Sequence, residues 1–331
     1  MNLHKSIFQL VLVFMLLPIG VVAEAKTVLV IQSYHQEYLW DSDYFRAIND
    51  LLGAQHEIKR FSLDTKRLPP EQFENKAQQA WAYYLEVQPD LVIIGDDNAM
   101  IYLGPRLGET KTPVVFLGVN GSPNAMGFDK YSNIKGILER PLFDEMIKHL
   151  RLVMKPKPTK LLALFDNSLT AQTAVGDFFQ GKTSVKVRGV QLDLVLTNDY
   201  DIWRRQFADA QKRGYAGIIV GTYHTIKDKS GAVRDAAELI SWAAAKSDLP
   251  VFCFWDFAAG EGKAVGGYVL SGYDQGRMAA QMAAMVFRGV PIQQLQSRVG
   301  DQGRYIYSLA QMQHWSIHLN PMVASKAEFL P

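Results

Sequence analysis

Leu91-Val92-Ile93-Ile94-Gly95 is followed, one helical stretch later, by Thr112-Pro113-Val114-Val115-Phe116, and the plan returns as Gly217-Ile218-Ile219-Val220-Gly221 followed by Leu249-Pro250-Val251-Phe252. Each short apolar run, rich in branched residues and bounded by Gly or Pro, reads as a strand buried on both faces of a parallel sheet. In both copies a strand ends in Gly before a helix, and Pro opens the next strand. Two such units in one chain predict two α/β lobes facing each other.

Outward from these units the alternation continues. Thr27-Val28-Leu29-Val30-Ile31-Gln32-Ser33 reads as the first strand, 44–52 as a helix, 57–63 as a second strand, and Pro69-Pro70 as the start of a helix to about residue 87. The second half gives strands at 160–165, 187–196, 216–221 and 250–255, with helices at 169–179, 202–213 and 233–245. A strand at 265–270, a helix at 275–287, a short strand at 304–308 and a closing helix at 309–317 complete the pattern. Strands alternating with helices of this length imply parallel sheets covered on both faces. The expected division is a first lobe of residues 26–138 plus 268–303 and a second of residues 139–267 plus 304–331. The chain would cross between them near Glu139, Gly267 and Arg304, and such a multi-strand hinge lets a few backbone positions absorb a lobe rotation.

At the N-terminus, Lys5 precedes an apolar run over residues 7–22 that closes on Val22-Ala23-Glu24-Ala25. This reads as a cleavable signal peptide of residues 1–25; the run is short for a spanning helix and Pro18 interrupts it. Cys253 is the only cysteine, so neither an intramolecular disulfide nor a lipid-bearing cysteine after the signal region is expected. With 48% hydrophobic and 21% charged residues and a net charge of +2, nothing points to nucleic acid. The expected location is the periplasm, as an exported protein that is not a lipoprotein.

Ligands of parallel α/β sheets bind beyond the carboxyl ends of the strands. That rule selects loops. Ser33, Tyr34, His35 and Trp40 follow the first strand, where aromatic faces with polar edges suit a ring-bearing ligand. Asp96, Asp97 and Asn98 follow the third, able to bind a ligand or to cap the next helix. Asn120 follows the fourth, in a turn, and Glu139 lies at the first crossing. The second lobe offers Asp166 and Asn167, with a helix cap as the alternative role, then Thr222 and Tyr223, then Trp255 and Asp256. These loops carry no Arg or Lys, so a neutral or cationic small molecule is expected: an amino acid, a sugar or a nucleoside-like compound. His314 and His318 are four apart on an expected helix, but without a local acidic partner they read as a solvated face, and no metal or cofactor is expected. Cys253, inside an apolar strand, reads as a small buried hydrophobe. No G-x-S-x-G, Walker loop or H-E-x-x-H occurs, and no nucleophile–base pair stands out.

The ordered motifs Val28-Leu29-Val30-Ile31-Gln32-Ser33-Tyr34-His35, Gly95-Asp96-Asp97-Asn98-Ala99, Pro113-Val114-Val115-Phe116-Leu117-Gly118-Val119-Asn120 and Ile134-Lys135-Gly136-Ile137-Leu138-Glu139 resemble the substrate-binding proteins of ABC transporters, with the type I periplasmic-binding fold. The branch is one that also supplies sensory domains to signalling proteins, and the similarity covers most of residues 26–310. It implies a ligand clamped between lobes and presented to a membrane ABC permease. The alternatives are a ligand-sensing co-receptor for a membrane signalling protein and, in a different class, a periplasmic enzyme with its site in the same cleft. Binding rather than catalysis is the expectation.

Overall fold

A computed structural model describes residues 25–300 and 303–331. The signal-peptide reading falls almost entirely on residues 1–24, outside this range. No described helix is long and apolar enough to cross a membrane.

The first half folds as β1 (Thr27–Gln32), α1 (Leu39–Leu52), β2 (Glu57–Ser62), α2 (Phe73–Val87), β3 (Leu91–Gly95), α3 (Asp96–Gly108), β4 (Val114–Val119) and β5 (Ile134–Leu138). The second half gives α4 (Phe143–Val153), β6 (Lys160–Phe165), α5 (Leu169–Phe179), β7 (Ser184–Val187), β8 (Val190–Leu196), α6 (Tyr200–Asp209), β9 (Ile218–Val220), α7 (Ala236–Lys246) and β10 (Val251–Cys253). Then come β11 (Gly266–Val269), α8 (Gly272–Phe287), β12 (Arg298–Val299), β13 (Arg304–Ser308), α9 (Leu309–His314), α10 (Pro321–Ala324) and β14 (Ala327–Leu330).

The first sheet is parallel throughout, in the order β12-β5-β4-β3-β1-β2. Its central strands β3 and β4 are buried along their whole length, as the apolar runs require. The second sheet runs β10-β9-β6-β8-β7, parallel except at its β7 edge. A third sheet, β11-β13-β14, attaches beside β10: Val265 N–H donates to Val251 and Leu270 N–H to Phe254.

Three passages join the lobes. The chain leaves the first sheet after Leu138, returns between β11 and α8, and leaves again between β12 and β13. The division expected at residues 267 and 268 falls inside β11, which pairs with β13 through Val269. α8 packs lengthwise on α1 and so belongs to the first lobe.

Three expectations are corrected. The strand expected over 187–196 is a hairpin, because Arg188 (φ 49°) and Gly189 (φ 85°) form a two-residue turn with positive φ at both positions, the geometry that matches strand twist. Helix α1 starts at Leu39, five residues before the expected start, with no side-chain cap to announce it. The closing helix stops at His314, and Ser316 turns the chain with φ 51°; His314 and His318 therefore share no helix face, and His318 Nδ1 meets the carbonyl of Ser316. Cys253 is fully buried.

Candidate functional site: an aromatic and acidic cleft between the lobes

The carboxyl ends of β1 to β4 face those of β6, β9 and β10 across a cleft enclosing about 590 Å³, part of it open to solvent. The first lobe contributes Tyr34, Tyr38, Trp40, Lys66, Asp96 and Asn120, with Glu139 at the first crossing. The second contributes Asp166, Ser168, Thr170, Thr222, His224, Thr225, Trp255 and Phe257.

Two indoles fix two carboxylates. Trp40 Nε1 donates to Asp96 Oδ1 at 3.0 Å, and Trp255 Nε1, from the opposite lobe, donates to Glu139 Oε1 at 2.6 Å. Asp96 has φ 68°, an uncommon and strained backbone conformation for a residue other than glycine. Gly118, with φ 66°, lets the β4 strand end pass close by; a Cβ there would stand 2.8 Å from Asp96 Oδ1. Asp96 Oδ2 and Asn120 Oδ1 are buried and have no hydrogen-bond partner. Such groups are costly to leave unpaired.

The electrostatics follow from burial. Burial raises the pKa of Asp96 well above the usual carboxylate range, and Asp41, Glu139 and Asp97 add to the effect. Glu139 is pushed up to about 8 by burial, against the hydrogen bond from Trp255. His224 is lowered to about 3 by burial, assisted by Lys66. Lys66 is exposed along its side chain, yet protein crowding on the cleft side lowers its pKa, offset by Asp96, Asp41, Asp166 and Glu139; its access to water keeps that desolvation partial.

Aromatic rings from the two lobes meet across the cleft. Tyr38 lies 6.3 Å from His224 and 6.4 Å from Phe257, centroid to centroid, across the lobes. Phe257 is stacked on Trp255, and Tyr34 meets Tyr38 edge-on at 5.3 Å. The Lys66 ammonium stands 4.2 Å from the Tyr34 ring centroid and 4.5 Å from that of Tyr38.

Of the residues expected from sequence, Tyr34, Trp40, Asp96, Asn120, Glu139, Asp166, Thr222 and Trp255 come together here. Asp166 lines the cleft, but its oxygens are held by Ser168, Thr222 and the Thr225 N–H. The others serve the scaffold. Ser33 Oγ donates to the Gly95 carbonyl and accepts from Ala99 N–H. His35 faces Asp64. Asp97 receives the N–H groups of Asn120 and Gly121. Asn98 donates to Thr65. Asn167 N–H donates to Asn198, and the next residue, Ser168, caps α5. Tyr223 is buried behind His224, stacked at 4.8 Å. Asp256 sits under the second crossing, where its N–H donates to Leu270 and burial lifts its carboxyl to about 7. None of these seven side chains lines the cleft.

Lys66 corrects the expectation of a cleft without basic groups, because the loop after β2 also ends at the cleft. Tyr38, Ser168 and His224 join the site from loops that the strand-end rule selects. Phe257 had no polar atom to mark it, and Thr170 and Thr225 gave no signal beyond their position.

No protein-family model matches the sequence, and no curated protein matches it. Solved structures do. An ABC domain from Streptococcus pneumonia, in complex with L-Trp, is 16% identical with a TM-score of 0.62, covering 93% of this chain and 100% of its own. A conserved domain protein from Vibrio cholerae is 17% identical, with a TM-score of 0.62 and the same coverage of both chains. A substrate-binding protein with adhesive properties from Clostridium difficile, in its ligand-free, open form, is 12% identical with a TM-score of 0.65, again covering 93% and 100%. At these identities the likeness speaks to architecture. The chain has the type I periplasmic-binding fold, two α/β lobes with parallel sheets joined by three crossings.

Proposed function

We propose that this protein is a periplasmic binding protein that clamps a small molecule between its lobes and presents the closed form to a membrane ABC permease. The observation that carries the reading is the pair of unpartnered acceptors, Asp96 Oδ2 and Asn120 Oδ1, on residues lining a cleft across which rings of both lobes meet. A ligand that donates to them lowers the free energy of the closed form more than of the open one, which is the requirement for ligand-driven closure. The expected ligand is an amino acid or a similarly sized molecule with a flat group; the L-Trp held by the Streptococcus protein of this fold supports that size class.

Binding is favoured over catalysis because, among the described residues, no cleft hydroxyl is hydrogen-bonded to His224, and the Ser168 hydroxyl is engaged with Asp166 and the α5 N-terminus. A nucleophile needs a positioned base.

The test is thermal unfolding of purified residues 26–331 against amino acids, sugars, nucleosides and polyamines. A ligand at 100 times its Kd stabilises by about 2.7 kcal/mol. One clear rise in Tm, removed by Trp255→Ala, supports the reading. Turnover of the stabilising compound would replace it with an enzyme.

A further inference from the structure

Resting on the binding reading above, we propose that Lys66 is an internal cation occupying, in the ligand-free cleft, the place of a positively charged group of the ligand, so that the site selects ammonium-bearing molecules and is restrained by its own lysine. The Lys66 Nζ stands over two tyrosine rings at 4.2 and 4.5 Å, the geometry in which an aromatic face attracts a cation. It is the only Lys or Arg lining the cleft among the described residues, against Asp96, Glu139 and Asp166. Yet it forms no ion pair and no hydrogen bond with a described residue.

Its attachment is lopsided. The backbone beside it is pinned: Asp64 N–H donates to Tyr34, Thr65 N–H to Ser33, and the Thr65 hydroxyl to Ser33 again at 2.7 Å. The side chain itself is exposed and held by ring faces and through-space attraction alone. It can therefore swing into solvent without moving the loop. What it leaves unmet is decisive. Asp96 Oδ2 and Asn120 Oδ1 are two buried acceptors without a donor, and Lys66 does not reach either. A ligand whose ammonium sits over the same rings, and whose further donors extend toward these two oxygens, would make hydrogen bonds that the lysine cannot. Such a ligand displaces the lysine from the ring faces.

A competitor that already fills a site lowers the apparent affinity by the fraction of time the site is free. Removing it tightens binding of the matching class. The test uses three probes of matched shape, phenethylamine, phenylacetate and 2-phenylethanol, titrated by calorimetry into the wild type, Lys66→Met and Lys66→Arg. Because Lys66 is exposed, the variants are expected to fold, and their ligand-free Tm checks this. The expected result is phenethylamine binding roughly tenfold tighter to Lys66→Met than to the wild type, with Lys66→Arg close to the wild type and phenylacetate bound by none. Equal phenethylamine affinity in wild type and Lys66→Met overturns the proposal. Phenylacetate binding to the wild type and lost in Lys66→Met also overturns it, making Lys66 an anion anchor while the binding reading stands. Silence of all three probes in all three proteins overturns it as well, and the wider ligand panel then decides separately whether the cleft binds anything.

Discussion

At the scale of single residues, the site depends on indole N–H groups holding carboxylates in place. Glu139 is 4% exposed and takes its hydrogen bond from Trp255, a residue of the opposite lobe. Trp255→Phe keeps the ring and removes the donor. It is expected to cost about 1–3 kcal/mol, the penalty of an acceptor left buried without its partner, read as a lower denaturation midpoint. Glu139 also sets a pH dependence. Its folded-state pKa of about 8 lies above its usual value of 4.5, so between those limits the folded protein holds a proton that the unfolded chain releases. Stability from this group is full below about pH 4.5, falls by up to about 1.4 kcal/mol per unit as pH rises, and levels off above pH 8. Glu139→Gln lacks that loss. Its Tm advantage over the wild type should grow from pH 5 to pH 8, and an advantage constant across that range would contradict the assignment. Trp40, Asp96, Glu139 and Trp255 were legible in the sequence because strand ends of a parallel sheet converge. Ser33, Asp97 and Asn98 occupy the same loops but bond to a neighbouring loop or helix start, a choice decided by geometry a few ångströms away. Lys66 was illegible because its role depends on two rings brought over from the loop after β1.

At the scale of elements, the first lobe is closed by α8 lying directly on α1. A Cβ added to Gly276 would stand 2.3 Å from the Tyr44 carbonyl oxygen, and one at Gly272 would stand 2.6 Å from that of Trp40. Both obstacles are backbone, so neither yields by a rotamer change. Gly276→Val is therefore expected to cost upwards of about 1–3 kcal/mol, the usual range for overpacking, and to weaken ligand binding because Trp40 rides on α1. Urea unfolding with a matched ligand titration reads both; an unchanged midpoint would show that the helices are not locked together here. The strands were legible from their apolar runs, since β3 and β4 are buried on both faces. Helix α1 starts earlier than its apolar spacing suggests, with no capping hydrogen bond from Tyr38 to mark it, whereas α5, capped by the Ser168 side chain, starts at Leu169 as expected. The β7–β8 hairpin was hidden because its turn places Arg188, not Asn or Asp, at positive φ.

At the scale of the whole molecule, the repeated strand pairs revealed two lobes, but not what holds them together. The third sheet pairs Gly266 with Tyr307 and Tyr305 with Ala327, contacts between distant segments that no local pattern announces. One charge pair spans this region. Arg304, on β13, grips Asp274, on α8 of the first lobe, through Nε at 2.5 Å and a second guanidinium nitrogen at 3.2 Å, and lies 3.7 Å from Glu328. Asp274 is 6% exposed, so losing its partner leaves a poorly hydrated carboxylate with Arg277, at 3.4 Å, as its remaining cation among the described residues. The side chain of Arg304 is 34% exposed, which places the expected cost of Arg304→Met at about 1–3 kcal/mol, below that of a fully buried pair. The pair joins α8 of the first lobe to β13, away from the cleft lining, so its loss is expected to do more than lower Tm: the ligand-free protein should populate more open arrangements. Small-angle scattering would then give a larger radius of gyration for Arg304→Met than for the wild type, and saturating ligand would bring the two together, since binding can offset an opening bias only through its preference for the closed form. A lower Tm with an unchanged radius would make the pair a local brace and move control of closure to the aromatic contacts across the cleft, where Tyr38 meets His224 and Phe257.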